Sequence, residues 1–148
     1  GPVLGVFGSD REETAAQLAA CGAAHLVVTA DDAPRIAARM AKGPALLSIA
    51  LPHGLGRAEA AARIAETLAA LLPRLPRPGT LLAAGGETLR AAALAVGAES
   101  LLATGLAEPG VPRATLRGGA WDGVAVLSKS GAFGGPSLWR DLLGESPA

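Results

Sequence analysis

Two glycine-bearing stretches hold the residue types best suited to gripping an anion. Ser128-Lys129-Ser130-Gly131-Ala132-Phe133-Gly134-Gly135-Pro136 follows an apolar run, Val124 to Leu127, and precedes a short helical pattern from Ser137 to Leu143. Its three glycines in five positions remove side chains that would keep a ligand off the backbone, and they leave N–H groups able to point at it. Gly85-Gly86-Glu87-Thr88 repeats the arrangement after the apolar run Thr80 to Ala84, and Gly8-Ser9 closes the first apolar run of the chain. A strand, a glycine turn and a helix start form a recurrent phosphate cradle, because the helix end supplies unpaired donors and partial positive charge. A plain strand-to-helix connection would leave the same trace.

The individual side chains keep both readings open. The hydroxyls of Ser9 and Thr88 could donate to phosphate or ribose oxygens, and Glu87 could accept from a ribose hydroxyl or approach a metal. Equally, Ser9 could cap a helix, Glu87 could complement the helix dipole, and Thr88 could be an ordinary helical residue. Lys129 could neutralise phosphate charge or alternate outward to solvent. In open α/β sheets ligands sit beyond the carboxyl ends of the strands, so parallel neighbouring strands would bring the three turns to one edge.

Other chemistries fit poorly. No G-x-x-x-x-G-K-[ST] loop occurs. Gly5 and Gly8 lack the third glycine of the dinucleotide fingerprint, although Asp31 and Asp32 lie about where its ribose-binding acid would stand, which keeps an NAD-binding alternative open. His25 opens a buried strand and His53 sits in a loop without neighbouring ligands, so no metal site is expected. Cys21, in an Ala-rich run, reads as a small buried hydrophobe, and Trp121 and Trp139 read as packing residues.

The elements that must position these residues follow from the hydrophobic pattern. Half of the 148 residues are hydrophobic, 18% are charged and 3% are aromatic, so one aliphatic core is expected. Strands are predicted over Val3–Gly8, His25–Thr29, Ala45–Leu51, Thr80–Ala84 and Leu101–Thr104. Helices are predicted over Glu12–Ala20, Pro34–Lys42, Arg57–Leu72 and Leu89–Val96, the last stopped by Gly97. Glu108-Pro109-Gly110-Val111-Pro112 carries a type II turn signature, and Ala114–Arg117 with Val124–Leu127 reads as an antiparallel hairpin. The fold class is α/β: a three-layer Rossmann-like domain with a mainly parallel sheet, helices on both faces and a hairpin in the last third.

Thirteen basic and thirteen acidic residues cancel, which removes the basis for a nucleic-acid or anionic-membrane face. No apolar run reaches the roughly 20 residues of a membrane span, and a cytoplasmic protein is expected. The start at Gly1-Pro2, without Met, suggests part of a longer protein.

Ala84-Gly85-Gly86-Glu87-Thr88 and Lys129-Ser130-Gly131-Ala132-Phe133-Gly134-Gly135-Pro136, with Glu108-Pro109-Gly110-Val111-Pro112 between them, resemble the C-terminal nucleotide-binding domain of the four-carbon acid sugar kinase family. Order and spacing agree from Thr80 onward, while Val3 to Leu72 is less similar. The resemblance implies a two-domain kinase in which this domain (residues 1–148) holds ATP with Mg²⁺. An N-terminal domain, absent from this sequence, would hold threonate, erythronate or 3-oxo-tetronate. It makes Ser9, Gly85, Gly86, Glu87, Thr88 and Gly131 the ATP contacts and assigns no catalytic residue here. Ala84 departs from the small polar residue frequent before the double glycine. A non-catalytic nucleotide-sensing module is the alternative, and self-association into a homodimer stays open.

Overall fold

The computed structural model describes residues 2–8, 12–52, 54–129 and 138. Its elements are β1 (Val3–Phe7), α1 (Glu12–Ala19), β2 (His25–Val28), α2 (Ala33–Lys42), β3 (Ala45–Ile49), α3 (Arg57–Leu71), β4 (Thr80–Ala84), α4 (Gly86–Ala95), β5 (Ser100–Glu108), β6 (Val111–Arg117) and β7 (Ala125–Lys129). The strands form one sheet in the order β2-β3-β1-β4-β7-β6-β5. The first five in that order run parallel, and β6 and β5 are added antiparallel. The expected α/β architecture is thus present, with helices on both faces.

Alternation along the strands builds two cores. Leu4, Val6, Leu47, Leu81 and Ala83 point to one face and meet Ile36, Met40, Ile64 and Leu68 of α2 and α3, with Ala92 of α4. Their neighbours in sequence, Phe7, Leu46, Leu82 and Ala84, point to the other face and meet Leu18, Cys21 and Ala24 in and after α1. Cys21 is the small buried hydrophobe that its surroundings in sequence suggest. Leu4, Leu47 and Leu81 are fully enclosed, and at about 1.5–3 kcal/mol for each such side chain they fix the central strands in register.

Helix periods are equally plain. Ala33, Ile36 and Met40 on α2, and Ile64, Leu68 and Leu71 on α3, recur every three or four residues and are the buried positions. Gly97 ends α4 as expected: at φ +73° its N–H donates to the Leu94 carbonyl, and the next N–H, of Ala98, reaches the Ala93 carbonyl at 3.0 Å.

The last third differs in extent from expectation. β5 continues to Glu108 and β6 begins at Val111, so Pro109-Gly110 is a two-residue hairpin loop with Gly110 at φ +84°. The strands outrun their hydrophobic runs because hairpin pairing, rather than burial, holds β5: most of its residues are exposed. β6 and β7 pair antiparallel as predicted, and Trp121 between them is buried in the larger core. Trp139 lies outside the described residues, as does the helical pattern from Ser137 to Leu143 apart from Leu138.

Candidate functional site

β1, β4 and β7 lie side by side and parallel, with Phe7 opposite Ala84 and Ala84 opposite Lys129. Their carboxyl ends are level, and the chain leaves all three at one edge of the sheet. The condition for the three glycine-bearing turns to converge, parallel neighbouring strands, is met by strand order. Of the candidate residues, Gly85, Gly86, Glu87 and Thr88 stand together there beside Gly8. Ser9 and Gly131 lie outside the described residues, as does the rest of the loop at 130–137.

Gly85 makes the turn. At φ +95° it holds a backbone conformation that side chains oppose; its N–H donates to the Lys129 carbonyl at 2.9 Å, and its carbonyl accepts from the Leu89 N–H at 3.1 Å. One residue therefore ties β4, β7 and α4. Because Gly85 absorbs the change of direction, α4 begins at Gly86, and Glu87 and Thr88 belong to its first turn rather than preceding a helix at Leu89. The N–H groups of Gly86, Glu87 and Thr88 face the open end of the helix, with no partner among the described residues.

Thr88 is buried, whereas Gly86 and Glu87 are exposed. A methyl added at Gly8 would collide with Thr88 Oγ1 and lie 3.2 Å from Ile64 Cδ1. The turn after β1 thus touches the first turn of α4, and only glycine fits between them. Around Gly86 nothing lies within 4 Å of such a methyl. The space above it belongs to a cleft of about 810 Å³ between the N-terminal half of α3 and the length of α4. Leu51, Leu55, Ala61, Ile64, Ala91 and Leu94 wall it, and the exposed Arg57, Glu87 and Arg90 line it as well.

The α3 wall is what sequence reasoning missed. β3 also ends at this edge, and the connection from it to α3 carries Pro52, Gly54, Leu55 and Gly56, a turn signal with none of the polar residue types that marked the other loops. Arg90 is exposed and lines the cleft, whereas Arg113 is an exposed residue of β6. Arg140 lies outside the described residues.

Lys129 is buried, which removes the solvent-facing reading. Register with Ala84 puts it on the α1 side of the sheet, opposite the cleft. Asp31 and Asp32 follow β2, and β3 separates that strand from β1, so two strand spacings, roughly 10 Å, stand between these acids and the Gly8 turn. Asp32 is engaged locally: it accepts the Thr29 N–H at 2.7 Å, which holds its carboxyl below the usual range, and faces Arg35 at 3.9 Å. The arrangement of a dinucleotide fingerprint, with its acid on the strand next to β1, is not formed. His25 Nε2 pairs with Ser48 Oγ at 2.8 Å, and burial lowers its pKa. No cluster of three or more metal-binding side chains occurs among the described residues. No helix among them is long and apolar enough to cross a membrane.

Residues 9–138 match a family described as "Nucleotide-binding C-terminal domain". Among solved structures, a Bordetella bronchiseptica protein of the DUF1537 family, crystallised with bound citrate as a domain-swapped dimer, is 30% identical with a TM-score of 0.71, over 97% of this chain and 39% of that one. A Haemophilus influenzae protein of the same family is 21% identical with a TM-score of 0.74, over 97% of this chain and 40% of that one. The chain therefore spans about 40% of the length of these relatives. No curated protein matches it significantly.

Proposed function

Since the chain belongs to the nucleotide-binding C-terminal domains of the DUF1537 family, which is the four-carbon acid sugar kinase family, we propose that it is the ATP-holding part of a kinase for a four-carbon sugar acid. The observation that carries this reading is the level ending of β1, β4 and β7 beside the open N-terminus of α4. Phosphoryl transfer is chiefly positioning and charge neutralisation, and these groups supply the positioning. The N–H groups of Gly86, Glu87 and Thr88 would receive phosphate oxygens, with Gly85 and Gly86 leaving room for close approach. Ser9 and Gly131 complete the proposed contact set from the neighbouring turns.

Mg²⁺ suits this site as a partner of the phosphates rather than of a protein cage. It commonly takes one or two carboxylates plus phosphate oxygens and water, and Glu87 is the carboxylate on the cleft lining. The acceptor acid, threonate, erythronate or 3-oxo-tetronate, would be held by the part of the family's length that this chain does not span. The domain-swapped Bordetella dimer supports a homodimer as the working assembly.

The test is ADP release with each of the three acids, first from this chain with saturating ATP and Mg²⁺, then from a protein that restores an acid-binding half. No acid-dependent turnover is expected from the chain alone, and turnover is expected once the second half is present. Turnover by the 148-residue chain alone would overturn the division of labour. Failure of both proteins, with ATP still bound, would favour a nucleotide-sensing module.

A further inference from the structure

We infer that the slot between α3 and α4 takes the nucleotide base, on the same side of the sheet as α2 and away from α1, and that it grips the base by apolar contact with little reading of its identity. This rests on the nucleotide-binding reading above. If the phosphates sit at the first turn of α4, the rest of the nucleotide must leave that turn toward one face of the sheet. The cleft opens on the α3 and α4 face and is continuous with Gly8, Gly85 and Gly86. Along α4 it extends from Gly86 to Leu94, nine residues or about 12 Å of helix.

Polarity is graded along that length. Glu87, Thr88 and Arg90 line the first half of the helix and Arg57 the start of α3, whereas Ala91 and Leu94 line the continuation of α4, with Leu51, Leu55 and Ala61 across from them. Leu94 is 65% exposed, the most exposed of the large hydrophobic side chains among the described residues. A planar base laid against it would cover apolar surface that the fold leaves wet. From Ala60 on α3 and Leu89 on α4 the backbone N–H groups are spent within the helices, and the side chains of Arg57 and Arg90 on the lining are exposed, where water competes for their hydrogen bonds, so the helical walls offer a base edge little discrimination. Discrimination built on hydrogen bonding is strong and discrimination built on apolar contact is weak, so purine and pyrimidine triphosphates should bind alike.

The experiment measures ATP, GTP, UTP and inorganic tripolyphosphate binding by calorimetry, for the wild type, Ala61→Trp and Leu94→Ser. In the wild type the three nucleotides should agree within about fivefold, a spread expected of apolar recognition. Ala61→Trp should weaken ATP by at least about tenfold, and Leu94→Ser by about threefold or more, while both leave tripolyphosphate within about twofold; lost apolar contact of this size suffices. Leu94 is exposed, so its variant separates recognition from folding. ATP affinity unchanged in both variants, with tripolyphosphate bound normally, would overturn the base placement alone. A wild type that binds neither ATP nor tripolyphosphate would overturn the nucleotide-binding reading and this inference with it. ATP favoured over GTP and UTP by a hundredfold or so would refute the apolar mode of recognition.

Discussion

At the scale of single residues, Gly8 and Thr88 form a lock between the turn after β1 and the first turn of α4. A Cβ at Gly8 has no room because Thr88 Oγ1 and Ile64 Cδ1 occupy it. Gly8→Ala should therefore cost about 1–3 kcal/mol, the usual range for overpacking. Adding Thr88→Ala removes one of the clashing atoms, so the double variant should recover at least about 0.5 kcal/mol relative to the sum of the single changes. Denaturant unfolding of the four proteins gives that coupling, and strict additivity would show that the two turns do not touch. His25 supplies a second residue-scale expectation. Burial lowers its pKa below 6.5, so the unfolded chain takes up the proton first as pH falls. Stability should be complete above that value, decline as pH falls through it toward the folded pKa, and then level off. The melting temperature of the wild type should therefore fall more between about pH 7.5 and about pH 5.5 than that of His25→Gln. Equal slopes would show that His25 titrates alike in both states. The sequence marked Thr88 and the glycines by type, yet the lock between Gly8 and Thr88 was not legible, because 79 residues lie between positions 8 and 88 and contact across that distance depends on strand order.

At the scale of elements, the N-terminus of α4 separates two jobs of glycine. Gly85 needs its freedom: with φ +95° and no atom closer than 3.7 Å to an added Cβ, its cost of substitution is backbone strain alone. Gly85→Ala should destabilise by about 1–3 kcal/mol. Gly86 is the first helical residue and has open space around it, so Gly86→Ala should stabilise the fold by about 0.4–1 kcal/mol. That same methyl would stand where a phosphate approaches, and ATP should bind at least about tenfold more weakly, or roughly 1.4 kcal/mol. Melting and calorimetry on this pair decide between a ligand site and a mere connection. A Gly86→Ala protein that is more stable and binds ATP unchanged would place the phosphates elsewhere. Most elements were legible because apolar periods of two and of three to four residues are local. The start of α4 was not, since Gly86, Glu87 and Thr88 read as turn residues until Gly85 is seen to take up the whole reversal.

At the scale of the whole molecule, strand order decides what the sequence leaves open. The three strands that lead into glycine turns could have been scattered; with β1, β4 and β7 adjacent their carboxyl ends are neighbours, and with β3 between β2 and β1 the acids Asp31 and Asp32 stand two strands farther along the same edge. The same order leaves β5 at the far end, nine residues long and, among the described residues, paired on one side only and outside both core clusters. Leu102 is 57% exposed and Leu106 is 64% exposed on it, and from Ser100 to Glu108 there is no lysine, arginine or proline of the kind that usually protects an edge. Irregular pairing at Thr104 and Ala107 gives the strand some protection. Replacing both leucines, Leu102→Lys with Leu106→Lys, removes apolar surface that contributes little to the core, so unfolding free energy should change by no more than about 0.5 kcal/mol per site. Light scattering at high protein concentration should show less association than in the wild type, because two positive charges on an edge oppose pairing with another strand. Loss of several kcal/mol from the double variant would instead mean that β5 is buried against something in solution, and its exposure here would then describe the isolated domain rather than the protein at work.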